Sequence, residues 1–418
     1  MPPVVHSAMV GVVGDGPAMP RGSMNKRWGS RSMHACFDKI CQIGEGQYGL
    51  VWLAREKMEV AESGAQVALK KIKMDKEREG FPITAIREIK ILKNLKHPNI
   101  VRLKEIVTSK AASERKEKDK GSVYMVFEYA EHDLAGLILS DLVRLEKAHI
   151  KYYLKQLLEG LHYLHKQKIL HRDIKGANLL ITHDGRLKIA DFGLARSYND
   201  PSVPLTKKVI TLWYRPPEVL LESDAYGAPA DIWSVGCIYA ELLFKVSTNA
   251  FRNIWALPGF EGPQNEAQQV SKIFEICGTP REDLWPGWQR LSGARNIKFK
   301  PRETQLVALM KQHCPQITDT ELDLLDKFLT LNPDKRITTD QALGHDWLWT
   351  DPMPAADGSQ MPRVPEHCHE WQVKKKRTEQ KNAQRQSQFL YHSQHPQQPA
   401  PRAPAPSQPP FVAMGSMQ

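Results

Sequence analysis

The chain has 418 residues, of which 41% are hydrophobic and 25% charged, and a net charge of +11 at neutral pH. This composition is ordinary for a globular protein, and the positive balance favours acidic partners such as nucleic acid or a phosphorylated polymer. The longest apolar stretch, residues 232–244, is too short to cross a bilayer and contains Glu241, so we expect a buried core helix and no membrane segment. The six cysteines show no paired spacing and the N-terminus no leader pattern, which predicts reduced thiols in an intracellular protein.

The first part of the chain is predicted to be a β-rich lobe behind a disordered tail. Residues 1–34 are rich in Gly, Pro, Met and Ser without periodicity, so we expect no fixed structure there. We place the lobe at residues 35–130. Its predicted elements are short β-type runs at 40–57, 65–74, 97–109 and 122–130, a helix at 82–95 and a charged loop at 110–121.

The second part, residues 131–349, is predicted to be mainly helical, with a strand-loop region at 169–192. A β-rich half followed by an α-rich half indicates an α+β protein with two lobes. Residues 350–418 are first basic and then rich in Gln and Pro, with no acidic residue from 380 onward, so we expect a disordered tail.

Four motifs follow one another along the chain. The first, IGEGQYGLV at 43–51, spaces its glycines as GxGxxG, which is weak evidence alone. A strand rather than a helix is predicted after it, which favours a hairpin lying over phosphates instead of a dinucleotide-binding turn. Lys70 ends an apolar run, where a solvent-facing lysine is the plainer interpretation. The other motifs are HRDIKGAN at 171–178, DFG at 191–193 and RPPE at 215–218.

This ordered set resembles a protein kinase over about residues 37–349. The resemblance implies the bilobal kinase fold, ATP and Mg²⁺ as cofactors, and transfer of the γ-phosphate to a Ser or Thr hydroxyl. It implies that Asp173 accepts the proton of that hydroxyl and that Lys175 steadies the transferred phosphate. It also implies that Lys70, aimed by Glu88, holds the α- and β-phosphates.

The resemblance further implies a metal site and a nucleotide pocket. Asn178 and Asp191 would hold Mg²⁺. The backbone of Glu128 and Ala130 would bind the adenine, and Asp133 would reach the ribose. The residues expected around the nucleotide are Ile43, Gly44, Gly46, Gly49, Val51, Ala68, Lys70, Phe127, Glu128, Ala130, Asp133 and Leu180.

Arg87 and Glu88 are adjacent on the predicted 82–95 helix and point about 100° apart, so they need two different partners. If Glu88 faces the nucleotide, Arg87 faces elsewhere. The resemblance implies its target, which is Thr206 in the activation segment. A phosphate on Thr206 would be bound by Arg87, Arg172 and Arg196 and would order that segment.

Apolar residues cover more than half of the circumference of the same helix, which is more than one core face needs. The excess predicts a second buried face against another protein. The stretch PITAIRE at 82–88 resembles the cyclin-contact signature of cyclin-dependent kinases. Together with HRDIKGANLLI and VITLWYRPPEVLL it is similar to the plant C-type group, which is related to the transcription-elongation kinases. The resemblance implies a T-like or related cyclin bound through this helix.

The same resemblance implies a function in transcription. The expected substrates are Ser-Pro sites, above all the C-terminal heptad repeats of RNA polymerase II, and the expected location is the nucleus. KKKR at 374–377 fits a nuclear address, and a solvated charge run is an equal alternative. No motif argues for direct binding of nucleic acid.

One departure and two alternatives stay open. An insertion at about 246–262 lies in the substrate lobe, where we expect it to leave ATP chemistry intact and to affect substrate docking. A MAP-kinase-like enzyme is disfavoured because no Thr-x-Tyr pair occurs in 191–218. A catalytically dead, cyclin-binding scaffold is disfavoured because Lys70, Asp173 and Asp191 are all intact.

Overall fold

The chain folds into a β-rich lobe followed by a helical lobe. The computed structural model describes residues 31–46, 49–57, 64–73, 81–109, 122–198, 209–224, 226–257, 262–295, 300–364 and 367–394, with side chains as far as residue 387. The two-lobed α+β fold expected from the sequence is confirmed, with the boundary between the lobes near residue 130.

The first lobe is a five-stranded antiparallel sheet with strand order β1-β2-β3-β5-β4. One helix, α2, packs beside it and follows Pro82, whose fixed φ suits the entry to a helix. The elements are α1 (Met33–Cys36), β1 (Phe37–Gly46), β2 (Gly49–Glu56), β3 (Gln66–Lys71), α2 (Ile83–Asn94), β4 (Leu103–Thr108) and β5 (Val123–Glu128).

The second lobe is built around the fully buried helix α6, as its continuous apolar sequence predicts. Small two- and three-stranded ribbons hold the loops that face the other lobe. The elements are β6 (His132–Asp133), α3 (Leu134–Leu139), α4 (Lys147–Lys166), β7 (Ile169–Leu170), β8 (Leu179–Ile181), β9 (Leu187–Ile189), β10 (Arg196–Ser197), α5 (Pro217–Leu220), α6 (Ala228–Thr248), α7 (Glu266–Ile276), α8 (Leu306–His313), α9 (Asp319–Phe328), α10 (Thr339–Leu343) and α11 (Glu370–Gln394).

Both segments predicted to be disordered tails include residues that have a fixed structure. At the start, Arg31 pairs with Glu105 at 3.0 Å and Met33 is buried against the sheet, so the structured region begins before residue 35. Residues 1–30 lie outside the described part of the chain.

The prediction of disorder from residue 350 was wrong for the segment that reaches residue 394. That segment runs along the helical lobe and ends in α11, a helix of 25 residues. Its order comes from contacts with residues more than 200 positions away, which local composition does not record. Residues 395–418 lie outside the described part.

The first residues of the predicted insertion continue helix α6. Helix α6 runs on to Thr248 and ends at Asn249, whose left-handed φ of 49° closes the helix. Residues 254 and 255 that follow are fully buried. Among the described residues no helix could span a membrane, and all six cysteines are free thiols.

Candidate active site

A cleft of about 580 Å³ lies between the lobes, which is a usual size for a nucleotide pocket. Most of the residues expected around a nucleotide line it, and the surroundings of Gly46 lie outside the described part of the structure. The expected residues found in its wall are Ile43, Gly44, Gly49, Val51, Ala68, Lys70, Glu88, Phe127, Glu128, Ala130, Asp133, Asp173, Lys175, Asn178, Leu180 and Asp191.

A buried three-residue ion cluster occupies the back of the cleft. Lys70 Nζ lies 2.8 Å from Glu88 Oε1 and 2.9 Å from Asp191 Oδ1. Burial alone would lower the pKa of Lys70, but the two carboxylates outweigh it and the net shift is upward. Burial would likewise raise the pKa of Asp191, and Lys70 brings it below the ordinary value. Burial raises the pKa of Glu88, although Lys70 opposes the rise. The cluster joins β3, α2 and the DFG segment.

The glycine-rich hairpin above the cleft depends on one glycine. Gly49 begins β2 with a φ of 148°, a conformation that L side chains rarely adopt. A Cβ there would lie 1.8 Å from the backbone oxygen of Lys71 on the neighbouring strand. A residue with a side chain would therefore push β2 away from β3, the strand that carries Lys70.

Asp231, at the start of α6, holds the backbone of the loop that contains the HRD motif. Its carboxylate accepts hydrogen bonds from the backbone N–H groups of His171 and Arg172, at 3.0 and 2.9 Å, and His165 Nε2 lies 3.0 Å from it. Arg172 has a left-handed φ of 64°, an unfavourable conformation for a long side chain, which these bonds stabilise. Asp231 is 1% exposed, so it supports this loop and does not face the cleft.

Asp173 lies at the mouth of the cleft, and three side chains orient it. Lys175 Nζ and Asn178 Nδ2 donate to its Oδ2 at 2.8 and 2.9 Å, and Thr211 Oγ1 donates to its Oδ1 at 2.7 Å. Lys175 Nζ also lies 3.2 Å from Thr211 Oγ1. Sequence reasoning missed Thr211, which comes close to Asp173 only because the chain folds back after the segment 199–208.

The donor set beside Asp173 fits a hard divalent cation. Asp191 offers a carboxylate, and Asn178 uses its amide nitrogen on Asp173, which leaves the amide oxygen for a metal. Oxygen ligands of these two types suit Mg²⁺ with ATP phosphates completing its coordination. Phe192 is fully buried and packs edge-on against His171 with ring centroids 5.0 Å apart, which holds Asp191 in the cleft.

The segment leading into α11 also lines the cleft, and sequence reasoning missed it. Its residues His369, Glu370 and Trp371 lie in the wall of the pocket. Glu370 N donates to Asp133 Oδ2 at 2.8 Å, and His369 Nδ1 lies 3.4 Å from the same oxygen. Gly136 N donates to Asp133 Oδ1 at 2.8 Å. Both oxygens of Asp133 therefore accept from backbone groups, and each keeps a lone pair for the expected contact with the ribose.

The predicted phosphate switch is only partly within the described residues, because Thr206 lies outside them. Arg172 is 3% exposed and donates to Leu194 O at 2.7 Å and to the Tyr226 hydroxyl at 2.9 Å. Arg172 and Arg196 both act on the pKa of Tyr226, which burial raises and the two guanidinium groups oppose. Arg172 and Arg196 therefore both influence Tyr226, and the convergence of the three arginines on Thr206 stays a prediction.

Comparison with known proteins agrees with this geometry. The family model for the protein kinase domain matches residues 37–348. The chain is 52% identical to cyclin-dependent kinase C-1 of Oryza sativa subsp. japonica over 88% of this chain and 68% of the relative. It is 51% identical to cyclin-dependent kinase C-1 of Arabidopsis thaliana, over 84% of this chain and 66% of the relative.

Human cyclin-dependent kinase 9 is 43% identical over 76% of this chain and 82% of its own length. The chain belongs to the protein kinase family, and within it to the ATP-dependent serine/threonine kinases of the cyclin-dependent group, whose members here include transcription kinases. This finding leaves the MAP-kinase-like alternative without support. The chain spans about two thirds of the length of the plant relatives.

Proposed function

We propose that this chain is the catalytic subunit of a cyclin-dependent, proline-directed kinase. It transfers the γ-phosphate of ATP to Ser-Pro sites, above all in the C-terminal heptad repeats of RNA polymerase II, and acts in the nucleus. The names of its relatives support the cyclin partner, and the resemblance to the transcription-elongation kinases supports the transcription role.

The chemistry assigned to the cleft follows from its hydrogen bonds. Asp173 accepts the proton of the substrate hydroxyl, and its donors Lys175, Asn178 and Thr211 hold the carboxylate in one orientation. Lys70 holds the α- and β-phosphates while Glu88 keeps its ammonium group in place. Bound Mg²⁺ supplies neutralisation of charge on the transferred phosphoryl group, with Asn178 and Asp191 as its protein ligands.

The observation that carries proline selection is the backbone of Ile210. This β-branched residue has a φ of 68°, an unfavourable left-handed conformation. Its carbonyl oxygen accepts from Arg215 Nε at 3.1 Å and from Arg215 Nη2 at 2.8 Å. The carbonyl is thus withheld from the backbone N–H of a bound peptide. Any other residue bound at that position would keep a backbone N–H without an acceptor. Proline has no backbone N–H and therefore avoids this cost.

The exposed face of α2 supports the cyclin partner. Ile83 is 67% exposed and Ile86 38% exposed, although Glu88 on the same helix is buried. A T-like or related cyclin covering these side chains would hold Glu88 against Lys70. The basic residues 374–377 lie on α11, most of whose described side chains are exposed, where a nuclear import receptor could reach them.

The test uses the full chain purified with its bound partners from the cells that express it. We expect ATP-dependent labelling of a heptad-repeat peptide containing Ser-Pro, and much weaker labelling when each Pro is replaced by Ala. Asp173→Asn should lower labelling at least ~100-fold. Equal labelling by wild type and Asp173→Asn would leave the dead-scaffold alternative. Equal use of both peptides by wild type would overturn proline direction.

A further inference from the structure

The described parts of the chain that joins α6 to α7, residues 249–257 and 262–265, contact the loop 209–215, which we assign to substrate binding. We call these the α6–α7 link and the substrate loop. In the link, residues 253, 254, 255 and 257 are at most 2% exposed. Buried polar groups need hydrogen-bond partners, so the partners of these residues show which part of the protein the link holds in place.

Trp255 connects the core helix to the substrate loop. Its ring stacks on Trp233 of α6, with centroids 5.9 Å apart and planes only 2° from parallel. Its indole Nε1 donates to the backbone oxygen of Trp213 at 2.7 Å. An aromatic residue that merely filled the core would not need this donor, whereas the bond fixes the backbone of the loop at Trp213.

Asn253 holds the next residue of the loop through a shared acceptor. Its Nδ2 donates to Glu241 Oε1 at 2.8 Å, and the Tyr214 hydroxyl donates to the same oxygen at 2.8 Å. The other end of the Asn253 amide, Oδ1, accepts from Trp255 N at 3.0 Å. One side chain thus links the turn of the α6–α7 link, the buried carboxylate of α6 and Tyr214.

Two further contacts join the substrate loop to the chain at the start of α7. Trp213 Nε1 donates to Pro263 O at 3.0 Å. Arg215 Nη1 pairs with Glu266 Oε1 at 2.5 Å while its other nitrogens hold the Ile210 carbonyl. Trp213, Tyr214 and Arg215 are consecutive. Trp213 and Arg215 bond directly to residues 255, 263 and 266, and Tyr214 is connected to Asn253 through Glu241.

We propose that the α6–α7 link positions the substrate loop for proline selection, with Trp255 and Asn253 as positioning residues. The strained Ile210 backbone persists only if its surroundings over-determine it, and the link supplies that constraint through Trp213, Tyr214 and Arg215. The insertion in this segment therefore contributes to specificity. The inference rests on the proposed proline-directed activity.

The experiment compares wild type with Trp255→Phe and Asn253→Ala, each as the full chain purified with its bound partners. Trp255→Phe keeps an aromatic ring for stacking, removes the indole donor and reduces the side-chain volume, and the control matches that loss of volume. Two peptides are used, the Ser-Pro heptad peptide and its Ser-Ala counterpart, and kcat and KM are measured for each peptide and for ATP. The matched control is Trp347→Phe, at a buried tryptophan whose ring packs at a tilt against Tyr239 of α6 and lies under the Lys151 ammonium group.

We expect Trp255→Phe and Asn253→Ala to reduce the preference for Ser-Pro over Ser-Ala by about threefold to tenfold, mainly through KM for the Ser-Pro peptide. KM for ATP should stay unchanged. Trp347→Phe should lower the melting temperature by a similar amount and leave the preference unchanged.

The outcomes separate the two ideas. A wild type that shows no preference for Ser-Pro refutes the proposed function. A wild-type preference retained in both link variants, with melting temperatures lowered as in Trp347→Phe, overturns the inference and makes Trp255 and Asn253 ordinary core residues. If one link variant does not fold, the other decides.

Discussion

At the scale of single residues, Glu241 combines complete burial with a hydrogen-bonded carboxylate. Burial raises its pKa from an ordinary value of 4.5 to about 7, although the bonds from Asn253 and Tyr214 oppose the rise. The folded protein therefore holds this proton more tightly than the unfolded chain does. Between pH 4.5 and 7 folding stability falls as pH rises, by about 3 kcal/mol at most from this group.

Replacing Glu241 with Gln should remove that pH dependence. Both donors bond the same oxygen, Oε1, and a Gln side chain offers an oxygen in that place. We expect the melting temperature of Glu241→Gln to be close to wild type at pH 5 and several degrees above it at pH 8. Glu303→Gln, at an exposed position, is the control. A Glu241→Gln protein that loses stability equally at both pH values would contradict the raised pKa.

Single residues of the cleft were also the easiest to predict. Lys70 and Glu88 lie 18 positions apart, and the resemblance to protein kinases implied their pairing. Trp255 shows the opposite case. Its apolar character was visible in the insertion, but its bond to the Trp213 backbone depends on how two loops meet after folding. A pattern along one segment contains no information about such a partner.

At the scale of elements, α11 shows where composition misleads. Its sequence is basic and rich in Gln with few apolar residues, which is typical of a disordered segment. The helix is nevertheless anchored just before its first residue, where Cys368 N donates to His132 Nδ1 at 3.0 Å and Asp133 N donates to Cys368 O at 3.1 Å. Further along, Arg377 Nη2 donates to Leu139 O at 2.7 Å. Order here comes from tertiary contacts, whereas α2 and α6 follow from periodicity and burial.

Gly136→Ala should release this anchor without shortening the chain. A Cβ at Gly136 would lie 2.1 Å from the backbone oxygen of Cys368 and 2.9 Å from Glu370 N, so the tail must move away. Because the tail lines the nucleotide cleft, we expect KM for ATP to rise about threefold to tenfold, with KM for the peptide little changed.

The control for this tail variant is Gly344→Ala, where the nearest atom to the new Cβ is 3.7 Å away. Gly344→Ala should leave KM for ATP as in wild type. An unchanged KM in Gly136→Ala, with hydrogen exchange showing that residues 368–371 have become unprotected, would mean that the tail does not contribute to ATP binding.

At the scale of the whole molecule, the active arrangement depends on how the two lobes are held. Lys70 and Glu88 belong to the first lobe and Asp191 to the second, and one ion cluster joins them. Helix α2 is therefore the element through which an outside partner can act on the cleft. The sequence predicted this from an apolar surface wider than one core requires, and the structure leaves Ile83 and Ile86 exposed on that helix.

Replacing both Ile83 and Ile86 with Asp should separate the kinase from its cyclin. Placing two carboxylates in a buried apolar interface costs several kcal/mol in desolvation, enough to lower affinity by more than ~100-fold. Because both side chains are exposed in the free chain, its melting temperature should stay unchanged. We expect the doubly substituted protein to purify without its partner and to lose at least ~10-fold of its Ser-Pro kinase activity. Leu284→Asp, which introduces the same charge at a position 58% exposed in the second lobe, should retain both. A doubly substituted protein that keeps its partner would move the cyclin interface away from α2, and one that loses its partner yet stays active would make the kinase independent of it.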